Sequence, residues 1–396
     1  MKPESSQMAD KKVAYVTNFC THYMRGLLEQ LARRFDVDYY FYSPGDEWYW
    51  EQKLGVVRDG EFHSTYLPGI ALGHTRIAPT LPFHLLAKHY DVYVKCINGK
   101  FAIPVTYLAA RLKGKPFVLR VEVWTDLQTP FHKLVSPLVR YLYRHADSVI
   151  AYGEHVKRYL VSKDVPSDRI FVALPVVDNR MYSRPISDCE KAALREELKI
   201  GPDQKVVLYL GRLVTSKGCD DLVEAFSSLR RNDAVLVLAG DGAERPKLEA
   251  LVSQHKLNDV VRFAGHVTQE VTPRYYAIAY VQVLPSISTA FGKEPWALVV
   301  NEAFNQGVPV IASDAVGAAA GGLVQDGING FIVPEKDTVS LARALQCILD
   351  DEQLRTEMGS HASAEIANWT YERMAGVFAD AIRYAMRLTP ASGSSS

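Results

Sequence analysis

Two glutamates, Glu294 and Glu302, stand in the segment Ser286–Glu302, SISTAFGKEPWALVVNE, with seven residues between them. An ionised carboxylate only accepts hydrogen bonds, so two of them suit donors such as the hydroxyl groups of a ligand. Glu294 follows a Gly-containing loop and precedes Pro295; Glu302 lies in the apolar run Ala297–Phe304, which reads as a helix. Pro295 fits a first helical position, where its missing N–H costs nothing. The N–H groups after it, through Trp296, Ala297, Leu298 and Val299, would then form an anion site backed by the helix dipole. Hydroxyl acceptors beside a phosphate cradle suit a nucleotide-sugar. The spacing alone also fits a solvated loop acid and a surface helix acid, so other residues must decide.

Two cations bear on that choice. Gly211-Arg212-Leu213-Val214-Thr215-Ser216-Lys217-Gly218 directly follows the strand-like run VVLYL. At the carboxyl end of a strand, the planar fork of Arg212 and the point charge of Lys217 can close on a diphosphate. The competing reading is a pair of solvated loop cations. The order G-x-x-x-x-G-K-[ST] is absent, so this is not a P-loop. Gly240-Asp241-Gly242 follows VLVLA and lacks the third glycine of a dinucleotide fingerprint, so it reads as a tight turn. Gly265-His266-Val267, after VVRFA, could meet a nucleotide base through its backbone, with the His266 side chain structural. Asp36-Val37-Asp38 has the D-x-D form used to hold metal-bound sugar nucleotides. It sits at the amino end of a strand, the wrong end for a ligand, and no metal role is assigned to it.

These residues need elements to position them. Short β-branched or aromatic runs alternate with helical patterns: Lys12–Thr17, Val37–Tyr42, Asp91–Cys96, Phe117–Val123, Ser148–Tyr152 and Ile170–Ala173 read as strands in the first half. The polar segment Pro175–Pro202 interrupts the rhythm. It restarts with Lys205–Leu210, Ala234–Ala239, Val260–Ala264, Val281–Leu284, Val310–Ala312 and Gly330–Val333. Strands alternating with helices predict two doubly wound α/β domains with parallel sheets, binding ligand at the carboxyl ends of the strands. The stretch Tyr39–Thr80, with Trp48, Tyr49 and Trp50, shows no clear period. It reads either as a loop insertion shaping an acceptor site or as an unparsed strand and helix.

Composition sets outer bounds. A chain of 396 residues, 48% apolar and 23% charged, is an ordinary globular chain of about two domains. Net charge is +0, yet residues 1–180 carry 24 Lys and Arg against 18 Asp and Glu, with the opposite imbalance beyond. A basic first half suggests an anionic membrane surface or a phosphorylated acceptor as partner. Five scattered cysteines without a C-x-x-C pair indicate neither a zinc site nor a disulfide framework, and a reducing compartment. The start, MKPESSQMADKK, has no apolar signal region, and no apolar run is long enough to span a bilayer. The tail ASGSSS is of low complexity.

Taken in order, G-R-L-x-x-x-K-G, A-G-D-G, F-x-G, P-S, E-x7-E, G-V-P-V-I-A-S and D-G-x-N-G-F-x-V-P make a specific set between Val206 and Val333. That stretch resembles the retaining glycosyltransferases of the GT-B fold, family 4 (glycosyl transferases group 1); the first half resembles them in topology only. The resemblance implies two Rossmann-like domains facing a cleft: 1–178 for the acceptor and 179–370 for the nucleotide-sugar donor. It also implies that 371–396, with a last helix Tyr371–Arg387, crosses back to the first. It assigns Arg212 and Lys217 to the donor diphosphate, Glu294 to the donor sugar and Glu302 to the ribose hydroxyls. Gly211, Gly240, His266 and Val267, with the backbone from Pro295 through Trp296, Ala297 and Leu298 to Val299, complete the donor side. No metal and no cofactor are implied, because two cations can take up the leaving diphosphate's charge.

This chain departs from the family at several points. Asn18-Phe19-Cys20-Thr21-His22 stands where the family often has Gly-Gly, and Glu122-Val123-Trp124-Thr125-Asp126 where many members carry a histidine. Asn18, His22, Glu122, Trp124 and Glu154 are the first-half candidates for the acceptor or sugar, with a structural ion pair the competing role for Glu122. Ala297 replaces a frequent glycine, and Gly317–Gly322 replaces an acidic loop. The expected activity is transfer of a sugar from a nucleoside-diphosphate sugar to a glycan or lipid-linked acceptor in polysaccharide or glycolipid biosynthesis. The expected place is the cytoplasm, at the inner face of the cytoplasmic membrane, with no nucleic-acid partner. A 2-epimerase of the same architecture is the alternative. A dehydrogenase lacks its complete G-x-G-x-x-G, and a phosphorylase lacks a matching lysine context for pyridoxal phosphate.

Overall fold

The structure is a computed structural model that describes residues 10–45, 60–72, 75–96 and 99–387. Trp48, Tyr49 and Trp50, the first nine residues and the ASGSSS tail lie outside the described residues. The chain forms two compact units: one from 1–124, 130–176 and 371–396, the other from 125–129 and 177–370.

Among the described residues nine strands belong to the first unit: β1 (Lys12–Thr17), β2 (Asp36–Phe41), β3 (Ser64–Tyr66), β4 (Ile70–Leu72), β5 (Thr75–Ile77), β6 (Val92–Cys96), β7 (Phe117–Val121), β8 (Ser148–Ala151) and β9 (Ile170–Val172). Seven of them form a sheet in the order β3-β2-β1-β6-β7-β8-β9, every pairing in it parallel. Its central strands are buried nearly end to end, as KVAYVT and FVLRV show. Continuous β-branched and aromatic runs of this kind fit a sheet covered on both faces. The unparsed stretch Tyr39–Thr80 contributes β3 and a small antiparallel hairpin of β4 and β5. The helix Tyr371–Ala385 packs on the helix His22–Ala32 and on β8, where Ser148 Oγ donates to Ala381 O at 2.8 Å.

Asp36 and Asp38 of the D-x-D sequence are engaged internally. Asp38 accepts from Tyr90 Oη at 2.6 Å and Lys88 Nζ at 2.9 Å, and Lys12 lies 3.7 Å from Asp36.

The second unit holds β10 (Lys205–Leu210), β11 (Ala234–Ala239), β12 (Val261–Gly265), β13 (Val281–Leu284), β14 (Val310–Ser313) and β15 (Gly330–Val333). Their order, β12-β11-β10-β13-β14-β15, is the doubly wound pattern in which strand order reverses next to the first strand. Pairing is parallel throughout. A core of Val207, Leu236, Leu238, Val283 and Ile311 packs against Leu222, Phe226 and Leu345.

The loops leaving β10 and β11 touch backbone to backbone. Gly211 N–H donates to Ala239 O at 3.0 Å, and Leu213 N–H to Asp241 O at 2.9 Å. A Cβ on Gly240 would lie 1.8 Å from Gly211 O, and one on Gly242 2.4 Å from Leu213 O. The G-D-G glycines therefore serve close approach of two loops. Gly240→Ala should cost about 1–3 kcal/mol or more, the range for forcing an extra methyl into a packed site. A thermal melt reads this as a lowered transition, and an unchanged one would mean that the loops part freely.

Candidate functional site

β10 and β13 are neighbours in the sheet, and the chain departs from them in opposite directions along it. At such a point two diverging loops leave the carboxyl ends of the strands open to a ligand. Here the loops are Gly211–Gly218 and the stretch running from Pro285 past Glu294. Ile287 N–H donates to Ser216 O at 2.9 Å and ties one to the other. Gly218 adopts φ 61°, and a Cβ there would lie 2.2 Å from Pro285 O, so glycine is required.

This juxtaposition brings Lys217 and Glu294 together. The Lys217 ammonium donates to Glu294 Oε2 as an ion pair, with side chains only 14% and 20% exposed. Arg212 stands in the same loop, its carbonyl accepting from Tyr209 Oη at 2.7 Å. Burial raises the Tyr209 phenol well above its usual range, and the charges of Glu294 and Arg212 both act on it. One diphosphate-binding cation and one sugar-facing acid of the sequence reading therefore share a single point.

The backbone around Glu294 is clamped on the loop after β14. Glu294 N–H donates to Ala315 O at 3.2 Å, Gly317 N–H to Glu294 O at 3.0 Å and Ala318 N–H to Trp296 O at 2.8 Å. The small-residue run Gly317–Gly322 thus begins as a buttress for the Glu294 segment. Ser288 N–H and Oγ donate to the Glu335 carboxylate at 2.5 and 2.6 Å and brace the same loop from β15's end.

Pro295 is not the first helical residue. The helix starts at Val299 and runs to Asn305, because Ala297 sits at φ 74°, a left-handed conformation that no helix continues through. The Trp296 side chain is 1% exposed, its Nε1 donates to Asn301 Oδ1 at 2.9 Å, and its ring packs 5.7 Å from Trp369. The indole is core, and only the main chain of Trp296 is left for a ligand. Pro295 is exposed, while Ala297, Leu298 and Val299 are half-buried.

Glu302 is not a surface acid. It lies in the first turn of that helix and is 8% exposed, with Tyr276 Oη donating to its Oε2 at 2.7 Å. Burial raises its carboxyl above the ordinary glutamate value, while donation from Tyr276 and Tyr182 pulls the other way. Helix dipole and tyrosine hydroxyls together make a buried carboxylate tolerable there. Of the remaining donor-side candidates, Gly211 and Gly240 are half-buried at the touching loops, His266 is exposed and Val267 is half-buried beyond β12.

Asn18, His22, Glu122, Trp124 and Glu154 all belong to the first unit. Asn18 is buried and its carbonyl accepts from the N–H of Tyr42 and Ser43 at 2.9 and 2.8 Å. His22 opens its helix and is exposed, with its ring 5.2 Å from that of Tyr23. Glu122 Oε1 lies 3.4 Å from Nη2 of the buried Arg120, an ion pair that leaves the glutamate side chain partly exposed. Trp124 meets the buried His155 edge-on at 5.0 Å, and the exposed Glu154 begins the helix Glu154–Ser162.

Tyr209, Tyr276, Tyr182 and Glu335 are contributors that the motif spacing did not reveal. Each lies outside the E-x7-E segment. The only sequence signal was a tyrosine or acid near a strand or helix end, which is common.

Comparison with known proteins identifies the family. The family described as Glycosyl transferases group 1 matches residues 190–365, and Glycosyltransferase Family 4 matches residues 21–180. D-inositol 3-phosphate glycosyltransferase of Streptomyces scabiei is 32% identical over 329 residues, covering 75% of this chain and 69% of that protein. Alpha-D-kanosaminyltransferase of Streptomyces kanamyceticus is 29% identical over 283 residues, 69% of this chain and 71% of that one. A crystal structure of Anabaena HepE in complex with UDP has a TM-score of 0.73 at 20% identity, covering 93% of this chain and 98% of its own; it shows the shared GT-B fold. The chain belongs to the group 1 glycosyl transferases, family 4, of GT-B architecture. It is a glycosyltransferase.

Ala297 stores backbone strain between the two glutamates. A non-glycine residue in the left-handed region costs about 1–2 kcal/mol. Ala297→Gly should hold or raise thermal stability, since relief of that strain outweighs the added freedom of the unfolded chain. Ala297→Val, β-branched, should lower stability by more than about 1 kcal/mol. Equal melting temperatures for all three would remove the strain.

Proposed function

We propose that this enzyme transfers a sugar, with retention of anomeric configuration, from a nucleoside-diphosphate sugar to an acceptor hydroxyl. The reading rests on one observation: the Lys217–Glu294 pair at the reversal of strand order, with Arg212 in the same loop. Arg212 and Lys217 take up the charge of the diphosphate as its bond to the anomeric carbon breaks. The acceptor oxygen bonds to that carbon on the same face, and its proton passes to an oxygen of the leaving diphosphate. Glu294 accepts from donor-sugar hydroxyls, and its pairing with Lys217 holds the ammonium where the diphosphate needs it. Glu302 accepts from the ribose. The main chain from Pro295 to Val299 lies against sugar and phosphate, with Gly211, Gly240, His266 and Val267 on the nucleotide side.

The transfer uses no cofactor and no metal in this reading, since fixed cations supply the charge stabilisation. Asn18, His22, Glu122, Trp124 and Glu154 are assigned to the acceptor side, with a glycan or lipid-linked acceptor in polysaccharide or glycolipid synthesis. The enzyme works in the cytoplasm at the inner membrane face. Uridine diphosphate sugars are the first donors to test, because HepE was crystallised with UDP. A thermal-shift screen of UDP, GDP, ADP and dTDP sugars should give one class that raises the melting point by mass action. With donor and no acceptor the protein should only hydrolyse the donor slowly. A new sugar stereoisomer would instead support the epimerase.

Lys217→Ala should cut turnover about 10²-fold or more, the scale for losing one fixed transition-state donor. Turnover that survives the substitution would unseat the assignment. A second expectation concerns pH. Glu302 must be ionised to accept ribose hydroxyls, so donor affinity falls as pH drops through its raised pKa. Tyr276→Phe removes a donor to the charged form and should move that acid limb to higher pH. Titration calorimetry of the donor across pH reads the limb, and an unmoved limb would detach Glu302 from donor binding.

A further inference from the structure

The helix Pro130–His145, PFHKLVSPLVRYLYRH, buries only Leu142 and Tyr143. Phe131, Leu134, Leu138 and Tyr141 recur at intervals of three and four, one stripe of a helix, and all four are exposed, Leu134 by 79%. Such a stripe ordinarily faces a core. Here it faces outward on a ridge beside the helix Ala102–Leu112, which it meets through Tyr107 Oη donating to Tyr141 Oη at 3.4 Å and through Arg111 and His145 O. Leu108 and Leu112, next in sequence to Tyr107 and Arg111 on that helix, are exposed by 57% and 76%.

Charge indicates the partner. Neither helix contains an acid. Lys133, Arg140 and Arg144 line the first, Arg111 and Lys113 the second, and Lys100 lies 4.0 Å over the Phe131 ring. Against them stand Asp147, paired with Arg111, and Asp164, paired with Arg140 and Arg144. A second copy docking face to face would set these cations against each other. An anionic bilayer satisfies both properties: leucines and aromatic rings enter the acyl boundary while lysines and arginines stay at the headgroups. Among the described residues no helix is long and apolar enough to cross a membrane, so the contact is peripheral.

We infer that the ridge of Phe131, Leu134, Leu138 and Tyr141, extended by Leu108 and Leu112, is the surface on which this enzyme rests on an anionic lipid bilayer. This assigns a surface to the membrane-face location proposed above and rests on it.

The test uses the full chain. It is sedimented with vesicles of phosphatidylcholine alone and of phosphatidylcholine mixed with phosphatidylglycerol. Binding should require the anionic lipid, weaken with salt, and fall roughly tenfold or more in Leu134→Asp/Leu138→Asp, which loses two inserting side chains. Leu108→Asp/Leu112→Asp, on the other helix, should weaken binding too and guards against misfolding of a single variant. The donor-induced thermal shift of each variant should match the unaltered protein, because no substituted residue belongs to the donor site. Absent vesicle binding, binding indifferent to both double substitutions, or a dimer that either splits would overturn the surface. A protein that binds vesicles yet shows no shift with any nucleotide-sugar would instead overturn the transferase substrate reading and leave the surface standing.

Discussion

The Lys217–Glu294 ion pair joins two loops that are 77 residues apart in sequence, and much of the second unit's site follows from it. Both groups are shielded from water, so each would be costly alone, and their mutual attraction offsets the desolvation. The pair exists because strand order reverses between β10 and β13, which sets two strand ends side by side while their chains diverge. Once Glu294 is pinned there and its main chain is clamped by Ala315, Gly317 and Ala318, the next residues have little freedom. Ala297 turns through a left-handed conformation, the helix begins at Val299, and Glu302 falls in its first turn.

A rigid shell supports these functional side chains. Tyr276 and Tyr182 hold the Glu302 carboxylate, Glu335 grips Ser288, Trp296 bonds Asn301, and Tyr209 bonds the Arg212 carbonyl. Each contact fixes a rotamer or a loop by a group that has no direct part in the proposed chemistry. Positioning at sub-ångström scale depends on such support more than on the contacting residues themselves. The glycines Gly218 and Gly240 belong to the same shell, since a methyl at either would collide with a neighbouring carbonyl.

The first unit is organised around a different constraint. Its sheet core is as continuous as that of the second, but its charge is biased to positive and one amphipathic helix keeps its apolar stripe outside. Burying the stripe would have stabilised the unit by normal packing. Leaving it exposed beside cations is consistent with an interface formed elsewhere.

Much of this was legible in the chain. β1, β10, β11, β13 and β15 have the bounds that their β-branched and aromatic runs imply, because a strand buried on both faces writes its hydrophobicity continuously. The order of motifs at the strand ends pointed to the family, and through it to Arg212, Lys217, Glu294 and Glu302 as candidates. Three things were not legible. Pro295 looked like a helix start, but its environment is set by the left-handed Ala297, which a local propensity for helix opposes. The place of the Trp296 indole is not written in its segment, because it is drawn into a core built with Trp369 from far along the chain. Glu302 could be read as a surface acid until Tyr276 and Tyr182 closed over it. The sequence by itself determined the elements and the chemical identities at their ends, because hydrophobic periodicity and turn chemistry act over a few residues. Only the tertiary structure decided which ends meet, which carboxylate is buried and which apolar stripe stays outside, because those depend on strand order and on packing between segments distant in the chain.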